Sequence, residues 1–334
     1  MEAHYSRICV TPTRNESWIL KPFLAAARCW ADHVIVADQA STDGTLELLQ
    51  ATPGVDVILN DSPRFDELHR QRLLLHRART ISGKRVLLAL DADEALSANC
   101  LNSTEWETIG AAPPGTILRF RWVNILPGFQ QAWIPPERSL FGFVDDESDH
   151  FGTRIHNPRL PCPHGAPVLD LEEITVLHFQ FVAWERMLSK QRWYMAWEHA
   201  SHRKKSTLDI FREYHHMCGS WNECEIHPID PRWLADYERL GIDYRSVKSE
   251  PLTWWDQEIV KMLHEHGPHF FRKLAIWNHD WNAVAAAMGQ TEVSLSDPRS
   301  HFETMVHRLL TLTQSHRANR AVRAFEHFLR LTGW

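Results

Sequence analysis

No run in this sequence approaches the ~18 apolar residues that a membrane span requires. The opening segment M-E-A-H-Y-S-R-I-C-V lacks the basic region and apolar core of a secretion signal. Cysteine is sparse and scattered. Cys9, Cys29, Cys100, Cys162, Cys218 and Cys224 follow no disulfide-framework spacing, which excludes a small stapled scaffold. There is no internal repeat and no low-complexity tract, so a solenoid and a long disordered linker are excluded too. Nor is there a surplus of positive charge: 36 Lys and Arg stand against 42 Asp and Glu, a net charge of −6. A general affinity for nucleic acid or anionic membranes is not implied. What remains is a globular composition, 44% hydrophobic and 23% charged, over 334 residues, enough for two domains. The expectation is a cytoplasmic protein with no nucleic-acid partner. Peripheral contact at the inner face of a membrane and self-association stay open.

Residues 7–90 alternate strand and helix signals. Short apolar strands are read at Arg7–Pro12, Asp32–Asp38, Val55–Leu59 and Arg85–Leu90. Helices are read at Asn15–Trp30, Ser41–Gln50 and Phe65–Arg79. Five-residue apolar strands separated by helices predict a parallel sheet covered on both faces. Thr116–Val123 and Glu173–Phe179 read as further strands, and almost everything beyond Val182 reads as helix. The predicted helices there are Trp184–His202, Thr207–Met217, Pro231–Leu240, Trp254–His266, Phe270–Met288 and Asp297–Leu331. The expected organisation is an α/β domain over 1–182 and a helical region over 183–334.

The most informative stretch is V-L-L-A-L-D-A-D-E-A-L-S, from Val86 to Ser97. An apolar strand runs into Asp91 and Asp93. On a strand, positions i and i+2 point the same way, so both carboxylates would face one side at the carboxyl end. Open α/β sheets bind ligands there. Paired carboxylates repel unless a cation lies between them, and Mn²⁺ or Mg²⁺ on a diphosphate is the natural candidate.

Four segments then fall in order on successive strand ends or beside them: T-P-T-R-N-E (Thr11–Glu16), A-D-Q-A-S-T-D-G-T (Ala37–Thr45), the arginine-bearing H-R-Q-R-L-L-L-H-R-A (His69–Ala78), and L-D-A-D-E (Leu90–Glu94). Over residues 7–182 this order resembles the family 2 glycosyltransferases, the inverting group with the GT-A fold. The resemblance implies a GT-A nucleotide-diphospho-sugar transferase fold and transfer of a sugar from a nucleoside-diphosphate donor. UDP is the default, with GDP and dTDP open. The acceptor would be a hydroxyl on a glycan, a lipid-linked sugar or a small molecule.

In that reading Thr11, Pro12, Arg14, Asn15 and Glu16 form one wall of the nucleotide pocket. Asp38 reads base or ribose, Ser41, Asp43 and Gly44 form a turn, and Arg72 pairs with the diphosphate. Gln39 and Leu73 depart from the family pattern. Arg64, Arg70, Arg77 and Arg79 read as solvated helix charges. Asp91 and Ala92 lie at the donor. Asp91, Asp93 and His178 would hold Mn²⁺ or Mg²⁺, with Glu94 supporting the turn. The general base is expected in the acidic loop V-D-D-E-S-D, with Asp146 and Glu147 leading, then Asp145 and Asp149; Asp170, Glu172 and Glu173 are runners-up. The alternatives are a sugar-phosphate nucleotidyltransferase and a degenerate GT-A scaffold. A nucleotidyltransferase would want a glycine-rich, lysine-bearing loop after the first strand, and T-P-T-R-N-E is not one.

The helical half holds no motif of that kind. Trp184, Met187, Leu188, Gln191, Met195 and Trp197 follow helical spacing, most simply as packing. Tryptophan is abundant, 15 in all, beyond what packing demands. The basic edge Arg203–Lys205 and Arg317, Arg320 and Arg323 read first as solvated charge, and as compatible with an anionic leaflet. Acceptor binding or oligomerisation is the expected role. The cluster His215, His216, Cys218, Cys224 and His227 matches no common zinc spacing and reads as a His-rich helix end.

Overall fold

The structure, a computed structural model, describes residues 5–62, 66–152, 158–201, 205–215, 225–250, 252–290 and 294–334. The chain divides into two compact units, one of Met1–Ala183 with Glu225–Ser249, the other of Trp184–Cys224 with Glu250–Trp334. The first unit therefore takes back a stretch of the predicted helical region.

The first unit begins with β1 (Tyr5–Thr13), α1 (Ser17–Trp30), β2 (His33–Asp38), α2 (Thr45–Ala51), β3 (Val55–Leu59), α3 (Glu67–Ala78) and β4 (Lys84–Ala89). It continues through β5 (Glu94–Leu96), α4 (Glu105–Ala111), β6 (Ile117–Phe120), β7 (Trp122–Ile125), β8 (Gln131–Trp133), β9 (Ser139–Val144), β10 (Val168–Asp170) and β11 (Val176–His178). A seven-stranded sheet has the order β10-β6-β9-β4-β1-β2-β3. Its β4-β1-β2-β3 core is parallel, and β9 runs antiparallel to both β4 and β6. Alternate residues feed opposite faces, as the pleat requires. Cys9, Val34, Val36, Val86 and Leu88 pack under Leu20, Phe23 and Leu24 of α1. Ile8, Val10, Ile35, Leu87 and Ala89 pack under Leu74, Leu75 and Ala78 of α3. Burial on both faces explains why these strands read as unbroken apolar runs. The α/β class with a mostly parallel central sheet is as expected.

The predicted strand Thr116–Val123 is two strands. The chain leaves the large sheet at Phe120, and after Arg121 it enters the second sheet as β7. That second sheet has the order β12-β8-β7-β11-β5, where β12 (Ile226–Pro228) comes from the returning segment, as does α7 (Arg232–Arg239). Tyr237, Ile242 and Tyr244 of this segment are buried with Phe179, Val123 and Ala132.

The second unit holds α5 (Trp184–Ser201), α6 (Thr207–Tyr214), α8 (Trp254–His266), α9 (Trp281–Ala287), α10 (His301–Leu312) and α11 (Arg320–Leu331). Ser206, Thr253 and Ser300 cap α6, α8 and α10 by accepting from backbone N–H groups, and Glu303 completes a capping box with Ser300. The predicted helix Phe270–Met288 is α-helical only over Trp281–Ala287, with a 3₁₀ turn ending at Phe271. Asp297–Leu331 is broken between Leu312 and Arg320. Tryptophans are consumed by packing: Trp193 stacks on Trp197 at 6.0 Å and meets Trp254 at 5.4 Å. Met187, Gln191 and Met195 are buried, and Trp184, Leu188 and Trp197 half-buried. Cys9, Cys29, Cys100 and Cys162 are free thiols. Arg64, Arg203 and the centre of the His/Cys cluster, 216–224, lie outside the described residues.

Candidate functional site

The parallel strands β1, β2, β3 and β4 all end on one edge, and the loops that follow them gather there. Two of these loops are latched together. The Asn15 amide oxygen accepts from Thr42 N at 2.7 Å, and Asn15 N donates to Ser41 Oγ at 2.9 Å. Asp43 accepts from Ser17 N and Thr45 N, each at 3.0 Å, while Glu16 N donates to Thr45 Oγ1 at 2.8 Å. Burial pushes the Asp43 carboxyl up, but the hydrogen bonds from Thr45 and Ser17 outweigh it and hold it below its ordinary value. Asn15 and Ala40 carry φ of 55° and 49°, left-handed backbone that an alanine adopts only under constraint.

The carboxylate of Asp38 is the keystone of this latch rather than an open ligand. Oδ1 accepts from Ser41 Oγ at 2.5 Å and Thr13 Oγ1 at 3.2 Å, and Oδ2 from Ser41 N at 3.1 Å. With 1% exposure it does not present itself to a base or ribose in this conformation. Thr11 is likewise fully buried, and Pro12, Arg14, Asn15 and Glu16 are partly exposed along the rim.

The β4 end is built differently. Asp91 and Asp93 lie beyond the strand, in the turn between β4 and β5, so the pleat does not align them as the sequence spacing predicts. The turn is closed by Glu94. Its backbone N donates to the Asp91 carbonyl at 2.9 Å, and its side chain accepts from Asp91 N at 2.9 Å. Glu94 is fully buried and also accepts from Trp122 Nε1 at 3.0 Å. Arg159 reaches in from a distant loop. Its guanidinium pairs with both Glu94 oxygens and with Asp91 Oδ2 at 2.9 Å, and lies over the Phe141 ring at 5.1 Å. Burial pushes the Glu94 carboxyl above its ordinary value; Arg159 draws it down and Asp91 adds to the rise. Arg159 is held firmly charged by Asp91 and Glu94 against its own desolvation.

Asp93 points toward His178 at the end of β11. His178 Nε2 lies 3.7 Å from Asp93 Oδ2, and the ring stacks on Trp122 at 4.7 Å. The other ring nitrogen, Nδ1, lies 2.7 Å from Asn124 Oδ1. Asn124 Nδ2 faces the carbonyls of Trp122 and Trp133 at 3.4 and 3.3 Å, which orients its oxygen toward the ring. Nδ1 is thus the protonated nitrogen, and the Nε2 side faces the carboxylate. A neutral imidazole then turns its Nε2 lone pair toward the same side as the carboxylate oxygen. Carboxylate oxygens and imidazole nitrogen suit Mn²⁺ or Mg²⁺. Among the described residues no three His, Cys, Asp or Glu side chains are placed together to hold a metal ion. A cation here would complete its shell with water or phosphate oxygens, as Mg²⁺ sites ordinarily do.

Two expectations are corrected by geometry. The acidic loop sits at the opposite end of the sheet, because β9 runs antiparallel to β4: Val144 pairs with Val86, and Asp145 N donates to the Arg85 carbonyl at 3.0 Å. Asp91 is six residues further along, about 20 Å at the strand rise. Asp145 is locked by Arg79 and Arg85, each at 2.9 Å, and Glu147 by Arg85 at 2.7 Å. Asp146 is exposed and accepts from Ser148 N, and Asp149 is exposed. Asp145 and Glu147 are thus held beside Arg85, at the amino end of β4. Second, Arg72 donates to the His150 carbonyl at 3.1 and 2.8 Å, tying α3 to the chain that follows β9. Of the runners-up, Asp170 pairs with Arg119 and Glu172 with Arg121 and Arg138, while Glu173 accepts from Ser103.

Arg159, Trp122 and Asn124 were not anticipated. Alternation in Thr116–Val123 marks Trp122 as a strand residue, but no local signal brings Arg159 to Asp91.

No family model matches the sequence, and no curated protein matches it. Among solved structures, a nucleotidyl transferase from Methanothermobacter thermautotroptrophicus aligns at 17% identity over 38% of this chain and 65% of its own, with a TM-score of 0.24. GalNAc-T7 with UDP, GalNAc and Mn²⁺ aligns at 14% identity over 79% of this chain and 58% of its own, with a TM-score of 0.37. A 4-diphosphocytidyl-2C-methyl-D-erythritol synthase aligns at 17% identity over 42% of this chain and 72% of its own, with a TM-score of 0.26. The chain thus spans under two thirds of the first two. Among the described residues no helix is long and apolar enough to cross a membrane.

Proposed function

We propose that this chain is a metal-dependent inverting glycosyltransferase of the family 2 kind, using a nucleoside-diphosphate sugar, UDP by default, and a hydroxyl acceptor. The observation that supports this best is the opposition of His178 Nε2 and Asp93 Oδ2 at 3.7 Å, with the tautomer set by Asn124. Asp93 and His178 are the residues that would hold Mn²⁺ or Mg²⁺; Asp91, the third expected ligand, is paired with Arg159 instead. Such an ion offsets the charge that builds on a departing diphosphate. The chain's own residues do the preorganising. Glu94 and Arg159 fix the turn that carries both aspartates. Asn124 and Trp122 fix the imidazole, as outer-shell partners of a ligand do. The latched loops after β1 and β2 form the adjacent rim, where Arg14, Asn15 and Glu16 are partly exposed.

The test is the thermal midpoint of the full chain with Mn²⁺ and nucleoside diphosphates, alone and together. Mn²⁺ with one diphosphate should raise the midpoint by mass action. Asp93→Asn and His178→Ala should remove the rise while still melting cooperatively. A rise that survives both variants, or no rise with any diphosphate, would overturn the assignment. Consumption of a nucleoside triphosphate with a sugar phosphate, releasing pyrophosphate, would replace it with nucleotidyl transfer.

A further inference from the structure

The last two helices of the second unit leave apolar side chains in water. On α10, Phe302, Met305, Leu309 and Leu312 recur at helical spacing and are exposed, Leu312 at 73%. They lie beside, not on, the face that buries Val306 and Leu310. On α11, Phe328 and Leu331 are exposed on one face, Leu331 at 75%, while Val322 and Leu329 are buried on another. Monomeric proteins rarely leave such stripes uncovered.

Charge selects the occupant. The protein carries a net charge of −6, yet His301–Trp334 holds five arginines against two acids. Both acids are already neutralised from outside that segment, Glu303 by Arg272 and Glu326 by Arg212. Arg308, Arg317, Arg320 and Arg323 are all exposed. On the helical wheel Arg308 borders the α10 stripe, and Arg320 and Arg323 border the α11 stripe. An apolar face edged with arginine fits an anionic lipid surface, where rings and leucines enter the acyl boundary and guanidiniums meet headgroups. The same edges oppose a second copy of this chain, which would set arginine against arginine.

We propose that α10 and α11 form a peripheral docking surface for anionic membranes. This inference is independent of the glycosyltransferase reading and would stand if that failed. The experiment is co-sedimentation of the full chain with vesicles of phosphatidylcholine alone, or mixed with phosphatidylglycerol. Binding is expected only to the mixed vesicles, and release is expected on raising salt, which screens the arginines. The double variant Leu312→Glu, Leu331→Glu should abolish binding. Arg320→Glu with Arg323→Glu should weaken it about tenfold or more. Each variant should keep the wild-type far-ultraviolet circular dichroism, since all four side chains are exposed. No binding to mixed vesicles, or equal binding by both double variants, would overturn the proposal. So would a wild-type dimer in solution that the leucine variants dissociate.

Discussion

The two ends of the large sheet carry the same chemistry arranged to opposite effect. At the amino end of β4, Arg79 and Arg85 enclose Asp145, and Arg85 also takes Glu147. Asp145 is buried between two guanidiniums, while Asp146, Glu147 and Asp149 stay exposed. At the carboxyl end, the Arg159 guanidinium serves both Asp91 and Glu94, with Asp93 turned toward an imidazole. Burial and bidentate pairing alone do not mark a functional site, because both ends have them. What separates the ends is an imidazole: His178 is held by Asn124 with its Nε2 turned toward the carboxylate of Asp93.

The strongest way to break this comparison is to remove Arg159. Arg159→Met leaves Glu94 buried without its counter-ion, and the expected cost is about 3–5 kcal/mol by urea unfolding. Adding Glu94→Gln should recover much of it. A loss under about 1 kcal/mol would mean that the pair does not hold the turn. Next in size is Asp145→Asn at the other end, expected to cost about 2–3 kcal/mol because two guanidiniums lose a charged acceptor. Its diphosphate-dependent thermal shift should be unchanged. Lost turnover with unchanged stability would return that loop to the chemistry.

The same pair has a pH signature. Burial raises the Asp145 carboxyl, but its bonds to Arg79 and Arg85 prevail and hold it below the ordinary 3.8. The stabilisation is therefore present above the unfolded value and lost as pH falls toward the lowered folded one. The stability gap between wild type and Asp145→Asn should be flat near neutrality and shrink below about pH 4. The smallest effect is expected at the latch. Asp43→Ala removes acceptors for Ser17 N and Thr45 N and should cost about 1 kcal/mol. It should also loosen the rim, seen as faster amide exchange at Ser17 and Thr45.

Legibility in the sequence followed the range of the interactions involved. The apolar runs at Arg7–Pro12, Asp32–Asp38, Val55–Leu59 and Arg85–Leu90 announced parallel strands because both faces are buried. The aspartates of L-D-A-D-E announced a strand end. Alternation in a strand, however, carries no direction. That is why the acidic loop after β9 was expected at the Asp91 end and is found at the other. The break at Arg121 was hidden for a related reason: β6 and β7 share one pattern while belonging to different sheets. Asp38 was visible as a strand-end acid, but its enclosure by Thr13 and Ser41 depends on the loop after β2 folding back.

By itself the sequence determined the α/β class, the helical character of the second half and the position of Asp91 and Asp93 just past a strand. These follow from period, burial and turn chemistry within a few residues. Only the tertiary structure decided which acids pair with arginine and which faces an imidazole. Arg159 meets Glu94 from 65 residues away and His178 meets Asp93 from 85, and pairings at that range are set by topology and packing.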